Sequence, residues 1–395
     1  MRYNPYVIHI ENEAHLHAEF RLVGSTEAGN RIMLNKGRSF VIRIDEVSLK
    51  AANILKQEML SRGGDAAVHR DVADLSAGDS SIVLMGTKRQ YLELIDKLRI
   101  QPFGLKQLGQ ELAEAIDRYD RKASPTLTFA GGKFSFDFGT RTYMMGILNL
   151  TPDSFSDGGR WTDLDRAVQH AKEMVAAGAD ILDIGGESTR PGHDPVSAEE
   201  EIRRVIPVIE RLAQEVHVPL SIDTYKGEVA KAAIEAGAHI VNDVWGFKKD
   251  STLAGICAAL DCPVILMHNR ETPHERDLIT GVVGDIRESI RLAHEAGVRD
   301  ENIILDPGIG FGKTHEQNLY MMKRMDDFVG LGYPVLLGTS RKSMIGNTLH
   351  LPVEERVEGT AATVALGIAK GVDIVRVHDV LAMARVARMT DAMVR

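Results

Sequence analysis

The chain has 395 residues, 44% of them hydrophobic and 26% charged, the balance of a globular protein larger than a single small core. Its 56 acidic against 47 basic residues leave a net charge of -9, which argues against nucleic-acid or anionic-membrane partners held by bulk electrostatics. Two cysteines, Cys257 and Cys262, are too few for a disulfide framework or a structural zinc site and read as small apolar core residues. The start, MRYNPYVIHIENEAHL, carries acidic residues where a secretion signal needs an apolar run. No apolar stretch approaches the roughly 18 residues that span a bilayer, so a cytoplasmic protein is expected.

In chain order, SFVIRIDEV and SSIVLMGT read as strands, and SLKAANILKQEMLSRGG as a helix. The QYLELIDKL to QELAEAIDRYDRK region reads as helix interrupted at Gln101-Pro102-Phe103-Gly104. Residues 1–125 therefore form a small α/β module without a cluster of catalytic residue types, and a linker is expected at Arg121 to Pro125. A packing or dimer-supporting role is the expectation for it. TLTFAGGKFSFDFGTRTY alternates apolar and polar residues around Gly131-Gly132, the pattern of a β-hairpin.

From about residue 140 one unit keeps returning. Short apolar strands occur at MMGILNL, ADILDIGG, PLSIDT, HIVNDV, PVILMHN, NIILDPG, PVLLGTS and DIVRVHD, with charge-dotted helical segments between most neighbours. AAGADILDIG, EAGAHIVNDV and AKGVDIVRVH share one scheme, a helix tail, a Gly that stops it and a strand. Continuous apolar strands alternating with amphipathic helices indicate parallel strands covered by helices. Eight such units over residues 126–395 predict an α/β protein whose main domain is a (β/α)8 TIM barrel, with the hairpin closing its floor. An open doubly wound sheet has the same local grammar, but no GxGxxG fingerprint follows the first strand.

Active sites of such barrels form at the carboxyl ends of the strands. That rule selects Asn149 with the loop TPDSFSDGG, Glu187 to Gly192, Asp223, Asn242-Asp243, Met267-His268-Asn269, Asp306-Pro307-Gly308, Ser340-Arg341-Lys342, and Arg376 with His378. Strands often end in polar residues because they end at water, yet so many converging polar ends describe a site. Asp223, Asn242, Asp306 and Lys342 supply carboxylates, an amide and an ammonium, groups that suit a flat heterocycle with adjacent donors and acceptors. Arg376 and His378 are two apart on the last strand, and with Arg190 they offer a phosphate or diphosphate site.

The motifs NLTPDSFSDGG, GGESTRPG, SIDTYK, VNDV, ILDPGIGFGK, GTSRKSMIG and EGTAATVALGIAKGVDIVRVHDV resemble, in order and spacing, those of the dihydropteroate synthase family. The resemblance covers residues 126–395. It implies condensation of 6-hydroxymethyl-7,8-dihydropterin diphosphate with p-aminobenzoate to give 7,8-dihydropteroate and diphosphate, by a dissociative substitution in folate biosynthesis. Carried over by motif, Asp223, Asn242, Asp306, Gly338 and Lys342 would hold the pterin, with Met267 and Phe311 as apolar walls. Asn149, Arg190, Arg376 and His378 would bind the diphosphate, Asn149 also lying near Mg²⁺, the implied cofactor. Phe155, Thr189, Pro191 and Ser343 would enclose p-aminobenzoate or belong to the two loops. Asp223, Lys342, Arg376 and His378 would carry catalysis. The resemblance also implies a homodimer acting on small molecules, with no nucleic-acid or membrane partner. MHNRETPHERDL, after the fifth strand, departs from the Gly- and Met-containing segment common in the family. A related pterin-binding methyltransferase has no use for STRPG, SRK and the Arg376–His378 pair. A catalytically silent relative would be expected to lose the loops or the anion residues that this chain keeps.

Overall fold

The computed structural model describes residues 6–10, 12–72, 79–120, 126–150, 160–187, 196–275 and 277–395. It divides into two compact units, Met1–Arg121 and Lys122–Arg395.

The first unit holds strands β1 (Ser39–Ser48), β2 (Asp65–Val68) and β3 (Asp79–Thr87) in one antiparallel sheet with β3 in the middle. Helices Leu49–Ser61, Lys88–Leu98 and Leu105–Asp120 pack around it, and the interruption at residues 101–104 falls between the last two. Leu55, Met59, Ile82, Leu84, Tyr91, Leu94 and Leu98 are completely buried, and the Tyr91 hydroxyl donates to the Leu84 carbonyl at 2.8 Å. Two helices, Glu13–Leu22 and Glu27–Gly37, were not legible in the sequence. Each buries a single residue, Leu16 and Asn30, so no apolar stripe marks them, although Asn12 and Thr26 cap their first turns.

In the second unit, hairpin strands β4 (Thr126–Phe129) and β5 (Phe134–Asp137) turn at Ala130–Gly132. Eight parallel strands follow: β6 (Tyr143–Asn149), β7 (Ile181–Gly185), β8 (Leu220–Asp223), β9 (Ile240–Asp243), β10 (Val264–Met267), β11 (Ile303–Asp306), β12 (Leu336–Leu337) and β13 (Ile374–Val377). Their order is β11-β10-β9-β8-β7-β6-β13-β12, and a parallel bridge between Leu305 and Val335 joins the two ends into a barrel. The glycines of the repeated scheme, Gly178, Gly237 and Gly371, have φ of +107°, +113° and +95°. Each ends a helix in the left-handed region and releases the chain into the next strand.

Side chains two apart on a strand share a face, and this alternation builds the site. Met145, Ile181, Ile240, Ile265, Ile304, Leu336 and Ile374 point inward and pack on Leu127, Phe129, Phe136 and Phe138 of the hairpin segment, which closes the floor as expected. The outward phase, including Leu182, Ile222, Val241, Leu266, Leu305 and Val375, packs against the surrounding helices. Two residues up from six of the floor positions stand Asp183, Asn242, Met267, Asp306, Gly338 and Arg376. One step along the barrel axis thus adds three charges and an amide, beside Met267 and Gly338, to an apolar interior.

Candidate active site

The centre of this layer is a glycine. A Cβ built on Gly338 would stand 3.9 Å from both Asp306 Oδ2 and Lys342 Nζ and 4.0 Å from Arg376 Cβ. A side chain there would fill the space that these three groups share. Lys342, just past β12, turns inward so that Nζ donates to the Ile309 carbonyl and lies over the Phe311 ring, 4.4 Å from its centroid. Asp306 Oδ1 accepts the Gly308 N–H at 2.7 Å, and Met267 lies opposite Asp306 in the β10–β11 register.

Arg376 donates from Nε to Asp183 Oδ2 at 2.6 Å and from Nη2 to Asp223 Oδ2 at 2.7 Å. Asn242 Nδ2 donates to the same Asp183 oxygen at 3.0 Å. Asp183 Oδ1 and Asp223 Oδ1 are buried without a hydrogen-bond partner. Orphaned carboxylate oxygens in a barrel mouth are acceptors waiting for a donor, because leaving them unmade costs free energy.

Burial sets the protonation of these groups. It pushes the Asp223 carboxyl up to about 7, against the pull of Arg376 and with the repulsion of Asp183. It raises Asp306 as well, opposed first by Lys342. It draws the Lys342 ammonium down to about 8, with Asp306 pulling the other way. For Arg376 burial acts against the cation, but Asp183 and Asp223 more than offset it and its pKa is raised. Shifts of this size gathered in one barrel mouth mark a functional site.

Toward the β6–β7 side, a Cβ built on Gly185 would lie 3.7 Å from both Asn149 Oδ1 and Asp223 Cβ, so Asn149 and Asp223 face each other across a bare glycine. His378 lies one residue beyond the end of β13, and Ser340 fixes it. The serine Oγ accepts the His378 backbone N–H at 3.1 Å and is 3.0 Å from Nδ1.

The structure thus brings together Asp223, Asn242, Asp306, Gly338, Lys342, Phe311, Met267 and Arg376, with Asn149 beside Asp223. Ser343 follows Lys342 as the first residue of the helix Ser343–Leu349 and is exposed. Phe155, Thr189, Arg190 and Pro191 lie outside the described residues. The flanks of residues 188–195 are described, and Lys226 ties them together through Glu187, the Val196 carbonyl at 2.7 Å and Glu201 at 2.6 Å. Arg341, one of the strand-end polar residues, turns away and forms a bidentate pair with Asp379 at 2.9 and 2.6 Å.

This chain matches the model of the pterin-binding enzyme family over residues 145–378. It is 58% identical over 265 residues to a dihydropteroate synthase of Clostridium beijerinckii, covering 67% of this chain and 98% of that protein. The chain belongs to the dihydropteroate synthase family. A crystal structure of the Clostridium difficile dihydropteroate synthase, solved in the presence of pteroic acid, superposes with a TM-score of 0.65 at 54% identity. It covers 66% of this chain and 99% of that one. A Halobacterium salinarum protein named as a bifunctional folylpolyglutamate synthase/dihydropteroate synthase is 42% identical over 371 residues. That match takes in 91% of this chain, reaching into the first unit, and 44% of the archaeal protein. The activity is that of a dihydropteroate synthase, a transferase acting on small pterin and aminobenzoate molecules.

Sequence reasoning from strand ends missed Asp183. It sits in the middle of β7, inside ADILDIGG, two residues above the floor residue Ile181. A charged residue in the inward phase of an otherwise apolar strand was the available signal.

The departure in the loop after β10 also has a structural form. His268 is fully buried, and Nε2 of both His268 and His274 lies 3.1 Å from Asp285 Oδ2. Lys313 Nζ donates to His268 Nδ1 at 2.7 Å, and Arg270 Nη1 is 3.5 Å from Asp285. With two cations already against these ligand atoms, the group is a closed ion-pair network under the loop. Burial draws Lys313 down to about 7 and His268 to about 4.

Proposed function

We propose that the barrel mouth carries out the family's condensation with the following division of labour. Asp223, Asp306 and the Asn242 amide oxygen accept hydrogen bonds from the donor-rich edge of the pterin, and Lys342 donates to its acceptors. Met267 and Phe311 flank the ring, and the absence of a side chain at Gly338 leaves room for it. Arg376 stands where the pterin and diphosphate halves meet, with His378, Arg190 and Asn149 completing the diphosphate site. Phe155, Thr189, Pro191 and Ser343 serve p-aminobenzoate. The observation that carries this reading is that Arg376, held by Asp183 and Asp223, stands with Asp306 and Lys342 beside the bare Gly338 above an apolar floor.

The bond from the pterin methylene to the diphosphate oxygen breaks first, and its electron pair leaves with diphosphate. The remaining methylene cation is delocalised into the ring and faces Asp223. Its carboxylate stabilises positive charge without being consumed. The neutral aryl amine then forms the C–N bond and releases a proton, so no strong base is needed. Exclusion of water from the cation falls to the loops after β6 and β7.

Mg²⁺ belongs to the same reading. Asn149 offers one amide oxygen across Gly185 from Asp223. Mg²⁺ takes few protein oxygens as ligands, so Asn149 would hold an ion that arrives with the diphosphate. Bound there, it would supply charge neutralisation for the departing diphosphate. A cytoplasmic homodimer completes the reading, and among the described residues no helix is long and apolar enough to cross a membrane.

The test is diphosphate release by the purified chain with pterin diphosphate and Mg²⁺, with and without p-aminobenzoate, and mass detection of 7,8-dihydropteroate. Product that requires both substrates is expected. Tight pterin binding with no product would overturn the reading.

A further inference from the structure

The geometry points to Asp183 as a positioning residue that seats Arg376 and fixes which face of the Asn242 amide meets the pterin. This inference rests on the pterin reading above and names a group that the strand-end motifs do not contain.

Asp183 is fully buried on β7 and sits one inward step above the floor, paired in register with Ile147 and Ser221. Asp223 pairs with Gly185, the next inward position. The Asp183 carboxylate is therefore one inward step deeper than that of Asp223. One of its oxygens, Oδ2, receives both Arg376 Nε at 2.6 Å and Asn242 Nδ2 at 3.0 Å. Two site residues from two different strands, β9 and β13, are thus held by a single atom on a third.

The chemistry of each contact has a consequence. An ionised carboxylate only accepts hydrogen bonds, so it selects the NH₂ side of the Asn242 amide and leaves Oδ1 as the group turned to the substrate. With Asp223 and Asp306 also acceptors, three acceptors can then meet the donor groups of an amino-pyrimidinone, beside the Lys342 and Arg376 cations. An amide turned the other way would set its oxygen against the Asp183 carboxylate, acceptor against acceptor. For Arg376, the Nε contact anchors the inner end of the guanidinium. The Nη2 arm holds Asp223 at 2.7 Å. When pterin takes over Asp223, Asp183 keeps the cation in the barrel and aims it at the leaving group. Without Asp183, Arg376 keeps Asp223 as its hydrogen-bonded carboxylate among the described residues and competes with the substrate for it.

Asp183 also acts on the charge of Asp223 at a distance. Asp223 is faced by Arg376 and Lys342, which favour its ionised form, and by Asp183, Glu201 and Asp243, which oppose it. Removing the Asp183 charge takes away one of the repulsions and strengthens the Arg376–Asp223 pair. Both effects lower the pH at which Asp223 ionises.

The experiment is steady-state kinetics of Asp183→Asn across pH, with 6-hydroxymethylpterin binding measured by calorimetry as a readout apart from turnover. A displaced Asn242 and Arg376 are expected to lower kcat/KM by roughly ten- to a hundredfold, the scale of a small misplacement of reacting groups. The acid limb of kcat/KM is expected to move to lower pH, and pterin affinity to fall. A defect in packing alone leaves the acid limb where it is, so wild-type kinetics or an unmoved limb would overturn the assignment. Should Asp183→Asn fail to fold, Asp183→Glu is read instead. It keeps the charge and displaces it by one methylene, so turnover is expected to fall with the acid limb unmoved, and unchanged turnover would overturn the assignment. Lack of dihydropteroate formation by the wild-type chain would instead refute the proposed function and is read separately.

Discussion

Replacing Arg376 by methionine keeps a similar length of side chain and removes the cation that, among the described residues, Asp183 and Asp223 share. In the native barrel both carboxylates accept from it, at 2.6 and 2.7 Å. Breaking a buried ion pair by removing one partner costs about 3–5 kcal/mol, because the other charge is left uncompensated. At about 2–4 °C per kcal/mol for a domain somewhat smaller than this barrel, the expected fall in Tm is roughly 10 °C. The fall also has a sign in pH. The Asp223 carboxyl is already pushed up to about 7 in the folded protein, above its ordinary value of 3.8. Between those two values the folded state holds a proton that the unfolded chain has shed, so this group makes stability fall as pH rises through that window and level off above it. Arg376 is the strongest influence holding that value down. Without it the window extends to higher pH, and the deficit of Arg376→Met is expected to be larger at pH 8.5 than at pH 5.5. Thermal melts of both proteins at the two pH values test this, followed by kcat/KM, which is expected to drop at least a hundredfold from the lost charge stabilisation. A Tm within 2 °C of wild type at pH 8.5, or an equal deficit at both pH values, would refute the reasoning.

Two further outcomes follow from the same geometry. Gly308 has φ of +65°, and a Cβ placed there would stand 1.9 Å from the His268 carbonyl oxygen. Neither backbone can yield cheaply, so Gly308→Ala is expected to destabilise by roughly 3 kcal/mol or more, and an unchanged urea midpoint would contradict the placement. Chelation of Mg²⁺ with EDTA is expected to abolish turnover while leaving 6-hydroxymethylpterin binding intact, since the pterin groups are side chains of the barrel; loss of pterin binding on chelation would move the ion to the pterin half of the site.

Much of this site was legible because two simple periodicities coincide. A parallel strand buried on both faces reads as an apolar run, and a barrel places its chemistry where those runs end. Asp223, Asn242, Met267, Asp306 and Lys342 were found in that way, and the structure sets Asp306 and Lys342 beside Gly338, Met267 opposite Asp306 and Asn242 opposite Asp223. Asp183 escaped because it is not at a strand end. Its role depends on which neighbours cross the barrel, and Arg376 is 193 residues away in the chain. The helices Glu13–Leu22 and Glu27–Gly37 escaped for a different reason, since local sequence shows a helix mainly through an apolar stripe and these bury one residue each.

By itself the sequence determined most of the local elements, the parallel arrangement and the identity of the strand-end groups, because propensity, glycine stops and apolar runs are properties of neighbouring residues. It also carried the motifs that place the chain in its family. Barrel closure through Leu305 and Val335 and the layer two residues above the floor were decided by the tertiary structure. So were the sharing of Arg376 by two carboxylates and the burial that pushes Asp223 up to about 7. Each of these depends on groups brought together from distant strands in a place that water has left, and charge interactions and desolvation acquire their size only there.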